Sequence, residues 1–111
     1  MLKARERMLY KAAAVTFGEE LQLAVATEEL AELQQQICKA LRGKLDKRHL
    51  TEEIVDALIG IEQVIQMFEI SDAAIRGMKI RKQQRLVRTI AAARNVTEDV
   101  LIKWMQSLED I

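Results

Sequence analysis

No proline interrupts the 111 residues of this chain, and only four glycines do. Proline removes a backbone donor and breaks helices, and glycine weakens them. A chain almost free of both can stay helical nearly throughout. Its alanine, leucine, isoleucine, glutamine and charged residues favour the same conformation. Half of the residues are apolar, enough for a small core, and the length suits one domain. The expectation is an all-α protein, a helical bundle of four to five helices with short loops over residues 1–111.

Local signals divide the chain. A first helix is expected over about residues 2–14. Thr16, with Glu19 three places on, reads as a capping box. It opens a long helix from about Phe17 to Arg42, closed by Gly43 in a left-handed cap. Leu23, Ala26, Leu30, Leu33, Ile37 and Leu41 form its apolar stripe. The segment 43-GKLDKRHL-50 reads as a polar connection holding His49. Thr51 is expected to cap the next helix, with Glu52 and Glu53 in its first turn, where negative charge is favoured. That helix runs to about Phe68 on a stripe of Ile54, Leu58, Ile61, Ile65 and Phe68. Ser71 opens a third long helix ending near Asn95. Thr97 caps a short final one anchored by Trp104.

The net charge is zero, so the chain as a whole offers no electrostatic case for nucleic acid or membrane binding. Its charges are nevertheless segregated. Glu19 to Glu32 contains five acids and no base, and Arg76 to Arg94 contains seven bases and no acid. The basic helix is too long for a helix-turn-helix, although a short helix follows it. Cys38, the sole cysteine, cannot form an internal disulfide and suits a reducing cytosol, so a cytoplasmic location is expected. No apolar run reaches transmembrane length. The N-terminal 15 residues lack a signal-peptide core and read as a mature helix.

Two acidic clusters carry the chemistry. The segment 28-EELAE-32 supplies Glu28, Glu29 and Glu32, and 53-EIVD-56 supplies Glu53 and Asp56. Carboxylates three or four apart share a helix face. Two such helices side by side would aim four or five carboxylates at one point. Like charges that close repel unless a cation lies between them, and a hard divalent ion with oxygen ligands, magnesium, fits best. Helical glutamates often have a base four residues on, but no base follows Glu28, Glu29 or Glu32 until Lys39. Gly60, one turn after Asp56, would leave room there for a ligand. Lys79, Lys82 and Arg85 recur every three residues with no compensating acid.

This order of motifs, E-E-x-x-E, a gap of 20 residues and then E-x-x-D, resembles the all-α nucleoside triphosphate pyrophosphohydrolases, which include the MazG-like proteins and the dimeric dUTPases. The stretches 17-FGEELQLAVATEELAEL-33, 42-RGK-44, 50-LTEEIVDALIGIEQVIQMF-68 and 78-MKIRKQQRL-86 look like the small MazG-like proteins of phages and Gram-positive bacteria. The likeness spans roughly residues 5–90, with 96–111 an accessory C-terminal helix.

The resemblance implies a MazG-like fold and hydrolysis of a nucleoside triphosphate to a monophosphate and pyrophosphate. It implies magnesium, with manganese as a substitute, held by Glu29, Glu32, Glu53 and Asp56. Glu28 and Glu29 match catalytic positions, Lys79, Lys82 and Arg85 phosphate contacts, and Gln22 a contact to base or ribose. It also implies a homodimer or a dimer of dimers. The apolar residues Val25, Ile59, Val64, Met67 and Val87, which widen the stripes beyond one bundle side, point the same way. The competing reading is a helical interaction or regulatory protein that keeps the fold without the activity.

Overall fold

A computed structural model of the chain describes residues 2–110. The fold is all-α: α1 (Ala4–Phe17), α2 (Glu19–Leu41), α3 (Lys47–Met67), α4 (Asp72–Arg94) and α5 (Glu98–Ser107), followed by a 3-10 turn at Leu108–Asp110. Among the described residues there is no strand. None of these helices is long and apolar enough to cross a membrane. The chain forms two compact units, one ending at Ser71 and the other beginning at Asp72.

In the first unit α2 and α3 pack along much of their length, and α1 lies against both. α1 begins where Lys3 N–H donates to Glu6 Oε1 at 2.9 Å. It continues through Thr16 to Phe17 and stops at Gly18, whose N–H donates to the Ala14 carbonyl. Gly18 has φ +90°, a value L side chains rarely adopt, and α2 starts at the next residue. The expected Thr16 capping box is therefore corrected. Thr16 has helical backbone in the last turn of α1, and the direction changes at Gly18, which has no side chain to cap with. Glu19 and Glu20 still occupy the first turn of α2, beside its positive dipole end. α2 closes as expected. Gly43, at φ +72°, donates to the Ala40 carbonyl, and Lys44 N–H to the Lys39 carbonyl, the paired bonds of a left-handed helix end.

α3 begins earlier than expected. The Asp46 carboxylate accepts from Arg48 N–H at 3.0 Å and His49 N–H at 3.2 Å, satisfying two orphan donors. Thr51 is one turn inside the helix, where its hydroxyl donates to the Lys47 carbonyl at 2.7 Å. An aspartate accepting two bonds has taken the capping role assigned to Thr51. His49 thus belongs to the first turn of α3, not to a loop, and its Nδ1 lies 3.5 Å from Asp46.

The seam between α2 and α3 is built of small side chains. Ala26 and Ala57 are buried. Gly60 is buried beside Ala26, and a Cβ placed there would lie 3.3 Å from Ala26 Cα. Beyond them Gln63 Nε2–H donates to Oε1 of buried Gln22 at 2.9 Å. The expected apolar stripes are thereby corrected. Of the α2 set only Ala26 is buried, while Leu30, Ile37 and Leu41 are exposed. On α3, Ile54, Leu58 and Ile61 are exposed, as is Phe68 just past its end; the expected Ile65 is half-buried, like Glu53, Val64 and Met67, and Ala57 and Gly60 are buried. Small residues let the two backbones approach at Ala26 and Gly60, while Leu30, Ile37, Leu41, Ile54, Leu58 and Ile61 stand exposed on the outer faces. α1 joins through Tyr10, whose buried hydroxyl donates to Glu62 Oε1 at 3.0 Å. Burial first, then this bond and the Glu62 charge, push the Tyr10 hydroxyl up to about 12.

The second unit pairs α4 with α5. Thr97 caps α5 as expected, accepting from Val100 N–H at 3.3 Å. Leu101, 1% exposed, is the buried anchor of α5. Trp104, expected to fill that role, is 38% exposed and carries the Arg94 guanidinium 3.8 Å from its ring centroid, a cation–π pair at the surface.

The cap assignment is testable. Asp46→Ala should cost about 1 kcal/mol of stability. Thr51→Ala should change it by less than about 0.5 kcal/mol. Denaturant midpoints at fixed protein concentration read both, and equal losses would contradict the placement of the cap.

Candidate metal centre

The acidic residues lie on the same seam. Glu29 follows Ala26 by three residues on α2, and Glu53 and Asp56 precede Ala57 and Gly60 on α3. Spacings of three and four put each residue on its neighbour's face. One carboxylate oxygen from each of Glu29, Glu53 and Asp56 lies within 4.8 Å of the other two. Glu29 and Glu53 are half-buried, and Asp56 is exposed. The two half-buried groups each hold one oxygen, Oε2, out of solvent with no hydrogen-bond partner.

Electrostatics sharpen the conflict. The Glu29 carboxyl is pushed above the ordinary carboxylate range, first by burial and then by the charges of Glu32, Asp56 and Glu28. The Glu53 carboxyl is also pushed up, by burial, by a side-chain hydrogen bond with Glu32, and by the charges of Glu32, Asp56 and Glu29. Among the described residues, the ion pairs join Arg48 to Glu52 and His49 to Asp46. No basic side chain there neutralises the cluster. A buried carboxylate oxygen without a donor is costly, and a divalent cation, which takes oxygen ligands, is a natural partner for these carboxylates.

Of the residues singled out in the sequence, Glu29, Glu53 and Asp56 converge, and Glu32, itself exposed, adjoins Glu53. Glu28 is exposed on α2 and acts on Glu29 through its charge. Gln22 is on the same helix, two turns earlier, tied to Gln63. Lys79, Lys82 and Arg85 lie on α4, in the second unit, and all three are exposed. The expectation that Gly60 leaves ligand space is corrected: Ala26 fills the position its side chain would take. Sequence reasoning also missed the Tyr10–Glu62 tie; a tyrosine on one helix gives no signal of its partner 52 residues away.

Comparison with models of known protein families, with curated proteins and with solved structures finds no match. The functional reading rests on the cluster's own chemistry and on the order of its motifs.

The raised carboxyls fix a pH dependence for metal-free protein. Glu29 and Glu53 keep their protons to higher pH in the native state than in the unfolded chain. Between the ordinary glutamate range and those raised values the native state binds more protons, so stability falls as pH rises through that window. The chain in chelator should thus be more stable at mildly acidic than at neutral pH, and Glu29→Gln or Glu53→Gln should flatten the slope. Urea midpoints across the window measure this. The opposite slope, or one unchanged in both variants, would contradict the assignment.

Proposed function

We propose that this chain is a MazG-like, magnesium-dependent nucleoside triphosphate pyrophosphohydrolase, cleaving a triphosphate to a monophosphate and pyrophosphate. The observation that carries the reading is the convergence of Glu29, Glu53 and Asp56 from two helices, with two buried oxygens lacking any partner. Its support from sequence is the order and spacing of the two acidic motifs.

The donor set fits magnesium, which takes hard oxygen ligands and reluctantly gives up its waters. Glu29, Glu53 and Asp56 would hold the ion, with Glu32 beside them. When bound, magnesium supplies positive charge that neutralises the triphosphate and polarises its phosphoryl oxygens. The remaining work belongs to the chain. Hydrolysis consumes one water: a bond forms from its oxygen to phosphorus, the α–β bridging bond breaks, and a proton must leave. Glu28 and Glu29 are the carboxylates assigned to orient that water and accept its proton, a role open to a carboxylate within hydrogen-bond reach. No serine, cysteine or histidine nucleophile is required. By the resemblance alone, Lys79, Lys82 and Arg85 match phosphate contacts and Gln22 a contact to base or ribose, although Gln22 is buried and bonded to Gln63.

The chain is further proposed to act as a homodimer or a dimer of dimers. Leu30, Ile37, Leu58 and Ile61 on α2 and α3 leave large apolar side chains exposed, more than a lone soluble subunit ordinarily shows. Sedimentation at micromolar concentration should give at least a dimer; a monomer there would exclude it.

The activity is tested by incubating the chain with a panel of normal and modified nucleotides, with and without magnesium, and measuring pyrophosphate. Glu32→Gln or Asp56→Asn should lower magnesium-dependent release by about 100-fold. Absence of turnover on every nucleotide, together with no stabilisation by any divalent ion, would favour the non-catalytic interaction protein instead.

A further inference from the structure

We propose that α4 is a binding surface for double-stranded DNA, gripping the phosphates on both sides of the major groove without regard to base sequence. The inference does not rest on the metal-centre reading, and it turns on Arg81 and Arg88, which that reading does not use.

The zero net charge of the whole chain hides an uneven division. The second unit carries eight bases against five acids, and the first nine against twelve. Within α4 the imbalance is complete past Asp72, because Ala73 to Thr97 contains no acid. Its bases recur at spacings of three and four: Arg76 with Lys79, Lys79 with Lys82, Lys82 with Arg85, Arg81 with Arg85, and Arg85 with Arg88. Like charges so spaced repel along a helix face and destabilise it. No carboxylate relieves them, since among the described residues the ion pairs lie at the start of α3. Arg94 is occupied by the Trp104 ring, and Arg81 reaches only the Met78 sulfur, at 3.7 Å. An extended anion laid along α4 would remove the repulsion.

The bases are also ordered around the helix. At about 3.6 residues per turn, Arg81, Arg85 and Arg88 form one row, and Lys79 and Lys82 form another about a third of a turn away. All five are exposed, and so are Met78 and Thr89 between the rows. Half-buried Val87 and buried Ala91 lie on the opposite side. Two rows of cations flanking an uncovered strip match two phosphate strands flanking a groove. The major groove of B-form DNA, about 12 Å wide, admits one α-helix. Arginine adds a planar fork that grips a phosphate through two bonds.

Other polyanions fit less well. The major groove of duplex RNA is too narrow for side chains to enter. A single strand is held by stacking its bases on aromatic side chains, and α4 has none. A helix that lies in a membrane surface needs an apolar face of its own. On α4, Lys79 and Lys82 interleave with Ile75 and Leu86, and Ile80 lies on another side. α5 is not the reading element, because Glu98 and Asp99 in its first turn would repel phosphates.

The test is fluorescence anisotropy of a short labelled DNA duplex of mixed sequence, titrated with the full chain in chelator. Five neutralised phosphates give a slope of log affinity on log salt of about −4.5, a loss of about 500-fold between about 50 and 200 mM salt. Arg81→Gln with Arg88→Gln should flatten that slope by about 1.8 and weaken low-salt binding by about tenfold or more. Both side chains are exposed, and losing two like charges, this variant should melt no earlier than wild type. Arg42→Gln with Lys44→Gln removes the same charge from exposed positions of the first unit and should leave the slope as it is. A wild-type chain that does not bind the duplex at low salt overturns the proposal. So does a slope unchanged by the α4 pair, or flattened as much by the control pair. Equal or tighter binding to duplex RNA, single-stranded DNA or phosphatidylserine vesicles overturns the choice of partner. Nucleotide hydrolysis is read separately, so failure of either proposal leaves the other standing.

Discussion

Ala26 meeting Gly60 is the contact on which the rest of the first unit depends. Two helices that touch through small residues approach closely, and whatever lies on the same face one turn away is forced together. Here that is Glu29 from α2 with Glu53 and Asp56 from α3. Folding thus concentrates negative charge in a half-buried cluster with no basic side chain paired to it among the described residues, raising the carboxyls of Glu29 and Glu53. Such an arrangement opposes stability in the bare chain. Conflicts of this kind concentrate at functional sites.

The same geometry accounts for the outer surface. With small residues in the seam, the bulky apolar side chains of α2 and α3 face outward, and Leu41 is 83% exposed. The buried apolar set of the described residues is small: Leu2, Tyr10, Ala26, Ala57, Ala91 and Leu101. A core of this size makes an isolated subunit marginal, and association would bury the outward stripes.

Much of this was legible in the sequence, in uneven ways. Proline absence and helical spacing gave the all-α class. Gly43 and Thr97 gave a helix end and a helix start, because their signals are local. Thr16 and Thr51 misled for a local reason too: each satisfies the capping pattern, yet the backbone turns at Gly18, past Thr16, and Asp46 takes the cap ahead of Thr51. The seam was hidden more deeply. Periodicity in large apolar residues finds a helix's greasiest face, whereas α2 and α3 join through Ala26, Ala57 and Gly60. The spacing of the acids placed each pair on one face correctly. It did not say that this face was the seam itself, nor that Glu29 and Glu53 each bury an oxygen there. Lys79, Lys82 and Arg85 of α4 were legible only as uncompensated charge, which has no geometry until the helix is built.

The most direct test is crystallographic. Crystals grown with manganese, an oxygen-seeking divalent ion visible by its anomalous scattering, should show a peak within coordination distance of the carboxylates of Glu29, Glu53 and Asp56. Glu53 Oε2 should be among the contacts. Well-ordered carboxylates with no anomalous peak between them, or manganese bound only elsewhere on the chain, would contradict the account.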